Sequence, residues 1–466
     1  MPSFTDHDRH SMEPFRIKAV EPIPFPTVEE RHEALVGAGH NLFRVPARKI
    51  TIDLLTDSGT AAMSAAQWAA LMNGDESYAG ARSFERFKAV VTELTGYPEI
   101  LPVHQGRAAE RIVLGNVLRP GDISVSNTHF DSTRASVEAT GAEAVDLSVS
   151  AFQGVPNPFG GDLDLDALAS LLGGESGRRV RCVVLTVTNN ANGGQPVSLR
   201  NIAGARKLCA ARGIPLFLDA ARFAENAYLI TERETGYADF APREIARRMF
   251  DLADGCWASL KKDGIGNIGG LIALRDGDLA NRCAEQVIAY EGFPTYGGLA
   301  GRDLEALAQG LLEVTEPGYL RYRAESARWF GHQLGLAGLP VLQPTGCHAV
   351  YLDAGLLLEH IPPHQLPATA FANELYLAGG VRVCELGTLV FGKPALDGGP
   401  ELPAPRELVR FALPRRVYTA SHLEYVVDVA EEVRSKAAQL RGYRIVRARG
   451  AMRQFTAVLE PVQRTR

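Results

Sequence analysis

Short apolar runs alternate with longer amphipathic segments along the middle of the chain, a pattern typical of βα units around a mainly parallel sheet. Three of these runs predict buried strands, at residues 181–188, 214–218 and 256–260. Polar residues follow the runs, among them Asn190, Asp219 and Lys262. Because ligands bind outside the carboxyl ends of parallel strands, we expect these three side chains to converge on one site.

The pattern changes after about residue 310 and predicts a second, smaller domain. A helical stretch over 320–334 and a strand candidate over 348–352 indicate an α+β architecture. The last helix of this domain is predicted to begin at a capping box of Ser421 and Glu424, because a serine followed three residues later by a glutamate can satisfy two backbone N–H groups.

We therefore predict an α/β protein with a large domain and a smaller α+β domain, which its 466 residues are sufficient to build. The predicted division is a disordered tail over residues 1–12, an N-terminal arm with part of the small domain over 13–50, a large domain over 51–310 and a small C-terminal domain over 311–466.

Composition narrows the classes of partner and compartment. The 49 Lys and Arg against 54 Asp and Glu leave a formal charge of −5 with no strongly basic stretch, so we expect no nucleic-acid partner. No apolar run reaches the ~18–20 residues that a membrane span needs, and the polar N-terminus lacks the apolar segment of a secretory signal. The six cysteines form no CxxC pair and are too sparse for a disulfide framework, which favours a cytoplasmic location.

Lys262 and Asp219 are the first candidates for chemistry. A strand-end lysine preceded by a strand-end carboxylate is the pair that pyridoxal 5′-phosphate (PLP) enzymes need, since the lysine binds the cofactor covalently and the carboxylate keeps its pyridine nitrogen protonated. Arg222 comes three residues after Asp219 and is placed to reach the phenolic oxygen of the cofactor. Each residue also has a structural alternative: the lysine stem can pack while its ammonium reaches solvent, and the carboxylate can cap the next helix.

A phosphate group needs backbone N–H donors at a helix start together with a cation or a hydroxyl. Gln105, Gly106 and Arg107 open a predicted helix and offer backbone N–H groups and a cation. Ser259, three residues before Lys262, is a further candidate and would supply a hydroxyl. Phe130 ends the run VSNTHF (125–130) and is placed to lie flat on the cofactor ring, although an aromatic residue there also suits the core.

Ten blocks of sequence carry a resemblance that runs through the chain: EPFRIKAVEPI (13–23), IDLLTDSGTAAMS (52–64), GDESYAGARSF (74–84), PVHQGRAAE (102–110), TNNANGGQPVS (188–198), DAARFAENAY (219–228), LKKDGIGNIGG (260–270), EGFPTYGGL (291–299), ALPRRVYT (412–419) and RQFTA (453–457). Together they resemble the tryptophanase and tyrosine phenol-lyase family of PLP-dependent β-eliminating lyases. The resemblance implies the PLP-dependent transferase-like fold, fold type I, with a mainly parallel seven-stranded sheet in the large domain.

The same resemblance, carried over position by position, implies PLP as the cofactor and a role for each candidate. The implied contacts are Gln105, Gly106, Arg107 and Ser259 with the phosphate, Phe130 with the ring face, Asp219 with the pyridine nitrogen, Arg222 with the phenolic oxygen, Asn190 beside the cofactor and Lys262 as the point of attachment.

The resemblance also implies how the substrate is held. Arg415 would bind the substrate carboxylate, for which a guanidinium fork is well suited. Thr56, Ser58 and Asn190 would lie close to the same carboxylate.

A monovalent cation, K⁺, and a neighbouring subunit are further implications of the resemblance. Glu76 and the carbonyl groups of Gly59 and Asn267 occupy the positions that would hold the cation. Tyr78 matches a proton-donating tyrosine that is contributed by a neighbouring subunit, so we expect a homotetramer with active sites at subunit interfaces.

Two positions favour indole over phenol as the leaving group. Asp131 stands where phenol-lyases of the family carry threonine, and its carboxylate can accept a hydrogen bond from the indole N–H. Leu386 stands where phenol-lyases carry an arginine for the phenol oxygen, and an apolar side chain suits a flat bicyclic ring. We therefore expect cleavage of L-tryptophan to indole, pyruvate and ammonia, with Lys262 removing the α-proton.

Gln454 differs from both branches of the family. At this position, directly before the aromatic residue Phe455, indole-lyases carry histidine and phenol-lyases carry phenylalanine. We expect both residues to line the pocket of the leaving group. An amide does not titrate near neutral pH, so Gln454 cannot shuttle a proton. Two interpretations stay open: tolerated drift, or altered specificity for phenol, a substituted indole or the thiol of an S-substituted cysteine.

Two alternatives lie outside β-elimination. An aminotransferase on the same fold would need a keto-acid acceptor. A non-enzymatic scaffold would be expected to lose Lys262, Asp219 or Arg415, and all three are present.

Overall fold

A computed structural model of the chain describes residues 10–149, 157–393, 402–449 and 452–463. The chain divides into two compact units, one formed by residues 1–57 and 322–466 and the other by residues 58–321. We call them the small unit and the large unit. Of the predicted tail, residues 1–9 lie outside the described residues, and Ser11 donates a hydrogen bond to Glu325.

The strands are β1 (Ile52–Leu54), β2 (Glu99–Val103), β3 (Ile123–Ser126), β4 (Glu143–Asp146), β5 (Val180–Thr186), β6 (Leu216–Asp219), β7 (Gly255–Ser259), β8 (Gly270–Leu274), β9 (Ala349–Asp353), β10 (Val381–Leu386), β11 (Leu408–Ala412), β12 (Tyr443–Arg447) and β13 (Val458–Pro461). The helices are α1 (Val28–Gly37), α2 (Ala65–Met72), α3 (Arg82–Thr95), α4 (Gly106–Val117), α5 (Asp131–Glu138), α6 (Leu165–Gly173), α7 (Leu199–Ala210), α8 (Phe223–Arg233), α9 (Pro242–Asp251), α10 (Gly277–Tyr290), α11 (Gly301–Glu313), α12 (Pro317–Leu336), α13 (Ala354–Leu357), α14 (Pro367–Gly379), α15 (Thr388–Phe391) and α16 (Ala420–Ser435).

The large unit is built on a seven-stranded sheet in the order β2-β8-β7-β6-β5-β3-β4. Strands β7, β6, β5, β3 and β4 run parallel, and β8 is antiparallel to both of its neighbours. The predicted mainly parallel sheet is therefore confirmed. The three predicted strands correspond to β5, β6 and β7 within one or two residues, because each run is mostly apolar and mostly buried and ends where polar residues begin.

The core of this unit lies between the sheet and the helices on its faces. Val184, Phe217 and Trp257, on three adjacent strands, pack in one cluster with Ile112 and Val113 of α4. These strands are apolar along their length because both faces of a parallel sheet are covered by helices.

The small unit contains a four-stranded sheet in the order β1-β10-β11-β9 and a two-stranded sheet of β12 and β13. The strand predicted at 348–352 is β9, shifted by one residue, and the stretch predicted at 320–334 lies within α12. The α+β character of this part of the chain follows from the antiparallel pairs β10–β11 and β11–β9 and the packing of α14 against β10.

The predicted cap of the last α-helix is wrong. Helix α16 begins at Ala420, and its N-cap is Thr419, whose backbone N–H and hydroxyl both hydrogen-bond to His422 Nδ1. Ser421 lies inside the helix, and its hydroxyl is 3.1 Å from that of Thr419. Two hydroxyl residues stand two positions apart, each with a suitable partner three residues on, so the local pattern cannot distinguish the two starts.

The six cysteines are all buried and free of disulfides. In the part of the chain that the structure describes, no helix combines the length and the apolar character needed to cross a membrane.

Candidate active site

A cavity opens at the carboxyl ends of β5, β6 and β7 in the large unit. Its lining residues are Glu110, Phe130, Thr186, Val187, Thr188, Asn190, Asp219, Ala221, Arg222, Ser259 and Lys262. Asp219 ends β6, Ser259 ends β7, and Asn190 follows β5. The structure thus brings together six of the predicted cofactor residues: Phe130, Asn190, Asp219, Arg222, Ser259 and Lys262.

Asp219 and Lys262 supply the opposite charges of this cavity. Burial raises the pKa of Asp219, whose side chain is only 7% exposed, while the nearby Lys262 and Arg222 charges act in the opposite direction. Lys262 Nζ lies 5.9 Å from the centre of the Phe130 ring. The cavity therefore places an amine, a carboxylate and an aromatic face around one small space.

The structural alternative for Asp219 was that it caps the next helix. Its Oδ1 accepts a hydrogen bond from Ala221 N at 3.3 Å, before α8 begins at Phe223. In the first turn of α8, the N–H of Ala224 donates instead to Asp263 Oδ2 at 2.8 Å. Asp263 therefore accepts a backbone hydrogen bond from the first turn of α8, whereas Asp219 lines the cavity.

The start of α4 lies directly beside Ser259. A Cβ added at Gly106 would lie 2.8 Å from Ser259 Cβ, and one added at Gly270 would lie 2.5 Å from the carbonyl carbon of Gln105. Only glycine permits these approaches, because real Cβ atoms do not come so close to other heavy atoms. The first turn of α4 and the Ser259 hydroxyl therefore form a compact cradle of the kind that binds phosphate.

Lys261 adds a cation to this cradle that the sequence reasoning missed. Its Nζ lies 3.5 Å from Gln105 Oε1, and burial together with the nearby Arg107 lowers its pKa. Two cations and a helix N-terminus at one place suit a dianionic phosphate. The signal was present in the pair Lys261–Lys262, but sequence alone does not tell which way the side chain of Lys261 points.

Asp131 and Tyr78, predicted for the leaving group, do not line this cavity. Asp131 is the first residue of α5, and its Oδ1 accepts a hydrogen bond from Ser132 N at 2.6 Å. Tyr78 is 68% exposed, with its ring centre 5.3 Å from that of Phe293 and 5.4 Å from that of Tyr296. The resemblance implied that Tyr78 acts in the active site of a neighbouring subunit and not in that of its own chain.

Of the residues predicted to hold a cation, two are in contact. Asn267 Nδ2 donates to Gly59 O at 3.1 Å, and Gly59 adopts a left-handed φ of +77°. Glu76 is ion-paired with Arg302 at 3.0 Å on the surface of the same unit. Among the described residues no group of three or more His, Cys, Asp or Glu side chains is arranged to hold a metal ion.

Arg415 is completely buried in the small unit and paired with Asp57. Its Nη1 donates to Asp57 Oδ2 at 3.0 Å and to the Asp57 carbonyl at 3.3 Å. Thr56 belongs to the same unit, whereas Ser58 is the first residue of the large unit. Asp57 was not predicted, although it lies between two residues that were.

Of the residues predicted to contact the leaving group in the small unit, Leu386 and Gln454 are buried and Phe455 is partly buried. Leu386 ends β10 and is 7% exposed. Gln454 is buried in a short 3₁₀ turn, where its carbonyl accepts a hydrogen bond from Asn41 Nδ2 at 3.0 Å. The Phe455 ring packs edge to face against the Phe43 ring, with 4.9 Å between the ring centres. The sequence did not reveal this aromatic neighbour.

The residues of the cavity fit PLP, the cofactor that the resemblance implies. The cradle of α4 and Ser259 suits the phosphate, the buried carboxylate of Asp219 suits a protonated pyridine nitrogen, and Lys262 lines the cavity as a primary amine of the kind to which PLP attaches.

Comparison with known proteins agrees with this chemistry. A family model described as beta-eliminating lyase matches residues 53–429. The tryptophanase of Salinibacter ruber is 53% identical over 453 residues, covering 97% of this chain and 95% of the relative. The tyrosine phenol-lyase of Symbiobacterium thermophilum is 43% identical over 452 residues, covering 97% of this chain and 98% of the relative.

Among solved structures, a serine palmitoyltransferase from S. paucimobilis with bound PLP and myriocin matches with a TM-score of 0.58 at 14% identity, over 83% of this chain and 88% of that one. At this identity the match shows the fold alone, which is fold type I of the PLP-dependent enzymes. The family match and the full-length relatives show more: the chain belongs to the β-eliminating lyase family and is a carbon–carbon lyase of the tryptophanase type.

Proposed function

We propose that this lyase cleaves L-tryptophan to indole, pyruvate and ammonia with PLP as its cofactor. The observation that carries the choice of substrate is Leu386, a buried apolar residue at the position where the resemblance places the arginine of phenol-lyases. A guanidinium there would bind a phenol oxygen, whereas a leucine favours a larger apolar ring. The higher identity to a tryptophanase, 53%, than to a tyrosine phenol-lyase, 43%, supports the same choice.

PLP, when bound, supplies the electron sink that makes the α-proton of the amino acid acidic. Gln105, Gly106, Arg107 and Ser259 would hold its phosphate, Asp219 would keep a proton at its pyridine nitrogen, Arg222 would bind its phenolic oxygen, Phe130 would cover one face of its ring, Asn190 would lie beside it and Lys262 would attach it.

The reaction itself asks three things of the remaining side chains. The Lys262 amine takes the α-proton, as a general base must do within hydrogen-bond reach of the carbon. Arg415, held by Asp57, orients the substrate carboxylate. Thr56 and Ser58, which flank Asp57 in the sequence, would lie close to the same carboxylate. Asp131 accepts the hydrogen bond of the indole N–H while Tyr78 of a neighbouring subunit delivers a proton to ring carbon 3, so that indole can leave as a neutral molecule.

Gln454 supports a second candidate, a β-lyase for a leaving group other than indole. Because the Gln454 amide cannot transfer a proton, a substrate that leaves without ring protonation, such as the thiol of an S-alkyl cysteine, would be the least affected by its presence.

The cation and the assembly complete the proposal. K⁺ would bind Glu76 and the carbonyl groups of Gly59 and Asn267, which requires Glu76 to exchange its Arg302 partner for the ion. The active unit would be a homotetramer in the cytoplasm. Light scattering of the purified protein and activity in K⁺ against Li⁺ buffers test both points; a monomer with full activity would contradict the assembly, and equal rates in the two buffers would contradict the cation.

The deciding experiment is the release of pyruvate from a panel of L-tryptophan, L-tyrosine, substituted tryptophans and S-alkyl cysteines, without any keto acid. We expect L-tryptophan to have the highest kcat/KM among the aromatic substrates. A higher value for L-tyrosine, or release from S-alkyl cysteines alone, would transfer the proposal to the second candidate, and a requirement for a keto-acid acceptor would indicate an aminotransferase.

A further inference from the structure

Glu110 is a lining residue of the cofactor cavity for which neither the motif nor the proposed reaction gives a role. Glu110 lies in the second turn of α4, the helix that begins at the phosphate cradle, and is only 5% exposed. Asp219 and Lys262 line the same cavity. A carboxyl group in such a place either carries a charge that the site uses or is kept neutral.

The hydrogen bond of Glu110 joins two elements of the site. Ser132 Oγ lies 2.7 Å from Glu110 Oε2. Ser132 belongs to α5, whose N-cap is Phe130, the residue predicted to cover the cofactor ring. The contact therefore links the helix that starts at the phosphate cradle to the helix that starts at the ring face.

The charges around Glu110 oppose its ionisation. Burial is the largest influence and raises its pKa to about 8, and the charges of Asp219, at the end of β6, and Asp131, on α5, act in the same direction. Lys262, which follows β7, and the Ser132 hydroxyl act in the opposite direction without cancelling the effect. At neutral pH the side chain is thus a carboxylic acid, able both to accept and to donate a hydrogen bond.

We propose that Glu110 is a positioning residue of the cofactor site, acting as a neutral acid that fixes α4 against α5 through Ser132 and leaves Asp219 as the carboxylate for the pyridine nitrogen. A second charged carboxylate in the cavity would compete with Asp219 for the Lys262 and Arg222 charges and would repel the phosphate of the cofactor. This inference rests on the proposed binding of PLP but not on the identity of the leaving group.

The experiment measures the dissociation constant of PLP and the visible absorbance of the lysine-bound cofactor from pH 6.5 to 9.5, using the full chain freed of cofactor and titrated with PLP. Glu110→Gln keeps the shape and the neutrality of the side chain, so we expect affinity within about twofold of the unsubstituted protein at pH 7. Glu110→Ala and Ser132→Ala remove the link between the helices, and we expect about tenfold weaker binding, the loss typical of one buried hydrogen bond.

The pH profile separates this role from simple packing. In the unsubstituted protein, affinity is expected to fall as pH rises through about 8, because Glu110 then becomes charged; Glu110→Gln is expected to lack this step. The matched control is Asp162→Asn, a carboxyl outside the cavity that also accepts from a serine hydroxyl, Ser198 at 3.0 Å, and whose pKa burial raises to about 7. It is expected to leave PLP affinity and the pH profile unchanged.

Three results would overturn the inference. The first is that Glu110→Gln binds PLP as weakly as Glu110→Ala, which would show that the charge is needed, and the second is that Glu110→Ala binds PLP with normal affinity. The third is that Glu110→Gln shows the same pH step as the unsubstituted protein. If Glu110→Ala does not fold, as judged by circular dichroism, the glutamine variant and Ser132→Ala still decide the question. Failure of the unsubstituted protein to bind PLP would instead refute the proposed function.

Discussion

Replacing Glu385 by glutamine is expected to flatten the pH dependence of the protein's stability. Glu385 lies on β10 next to Leu386 and is 7% exposed. Its Oε1 accepts hydrogen bonds from Gly387 N at 2.7 Å and Leu389 N at 3.2 Å. A second buried carboxylate, Glu407, lies close by, since a Cβ added at Gly387 would be 2.9 Å from Glu385 Oε1 and 2.4 Å from Glu407 Oε2.

Burial, reinforced by the charge of Glu407, raises the pKa of Glu385 from 4.5 to about 8. Between these two values the folded protein keeps a proton that the unfolded chain has lost, so the free energy of unfolding falls as pH rises. The fall is ~1.4 kcal/mol for each pH unit. At pH 7 the free energy of unfolding is about 3 kcal/mol lower than at pH 4.5. It stops falling once the pH exceeds the pKa of Glu385 in the folded protein.

The Glu385→Gln variant stays neutral at every pH and keeps an oxygen for the two backbone donors. The assay is urea unfolding followed by circular dichroism at pH 5, 6, 7 and 8, at one protein concentration. Between pH 5 and pH 7, the free energy of unfolding of the variant is expected to rise by about 2–3 kcal/mol relative to that of the unsubstituted protein. Glu431→Gln, on the exposed face of α16, is the matched control. Parallel stability profiles of Glu385→Gln and the unsubstituted protein would refute the reasoning, because they would show that Glu385 is charged in the folded state.

Three further predictions concern the site. Gln454→His is expected to preserve or raise kcat/KM for L-tryptophan, since it restores a titratable group; a large loss in steady-state assays would contradict this. Lys262→Ala is expected to abolish the visible absorbance of lysine-bound PLP, and a retained band from another lysine would overturn its assignment. Gly106→Ala places a Cβ 2.8 Å from Ser259 Cβ and is expected to weaken PLP binding at least tenfold, or ~1.4 kcal/mol, whereas Gly115→Ala in the same helix meets nothing within 4 Å and is the control; equal PLP affinities for the two variants would be the contrary result.

The sequence predicted the large sheet well because the signal is local. Residues 181–188, 214–218 and 256–260 are mostly apolar, and each corresponds to a strand that is buried at nearly every position. The polar residues that follow them are brought together because the carboxyl ends of parallel strands share one edge of the sheet. Periodicity alone was sufficient for these two conclusions. The cofactor roles of Lys262 and Asp219 were inferred from their chemistry, and the roles of the substrate and cation residues came from the resemblance.

The cap of α16 shows where local patterns fail. Thr419 and Ser421 are both good N-cap residues, and the choice of Thr419 depends on where the apolar face of the helix meets the small unit's core through Leu423 and Val426. Glu110 is a second example. It stands in a motif that the sequence analysis identified, but its partner Ser132 is 22 residues away and comes into contact only through the packing of α4 against α5.

By itself, then, the sequence determined the kinds of element, the order of the strands along the chain and the residue types that chemistry requires, because these depend on side-chain period and identity. Tertiary structure decided which carboxylates are buried beside one another, and hence their protonation. Asp219, Glu110 and Glu385 are each one acidic residue among 54 in the sequence, and burial raises the pKa of each. Neighbouring carboxylates add to this effect at Glu110 and Glu385, whereas the Lys262 and Arg222 charges oppose it at Asp219. The physical reason is that the cost of burying a charge depends on which partners the fold brings within a few ångströms, and no local pattern contains that information.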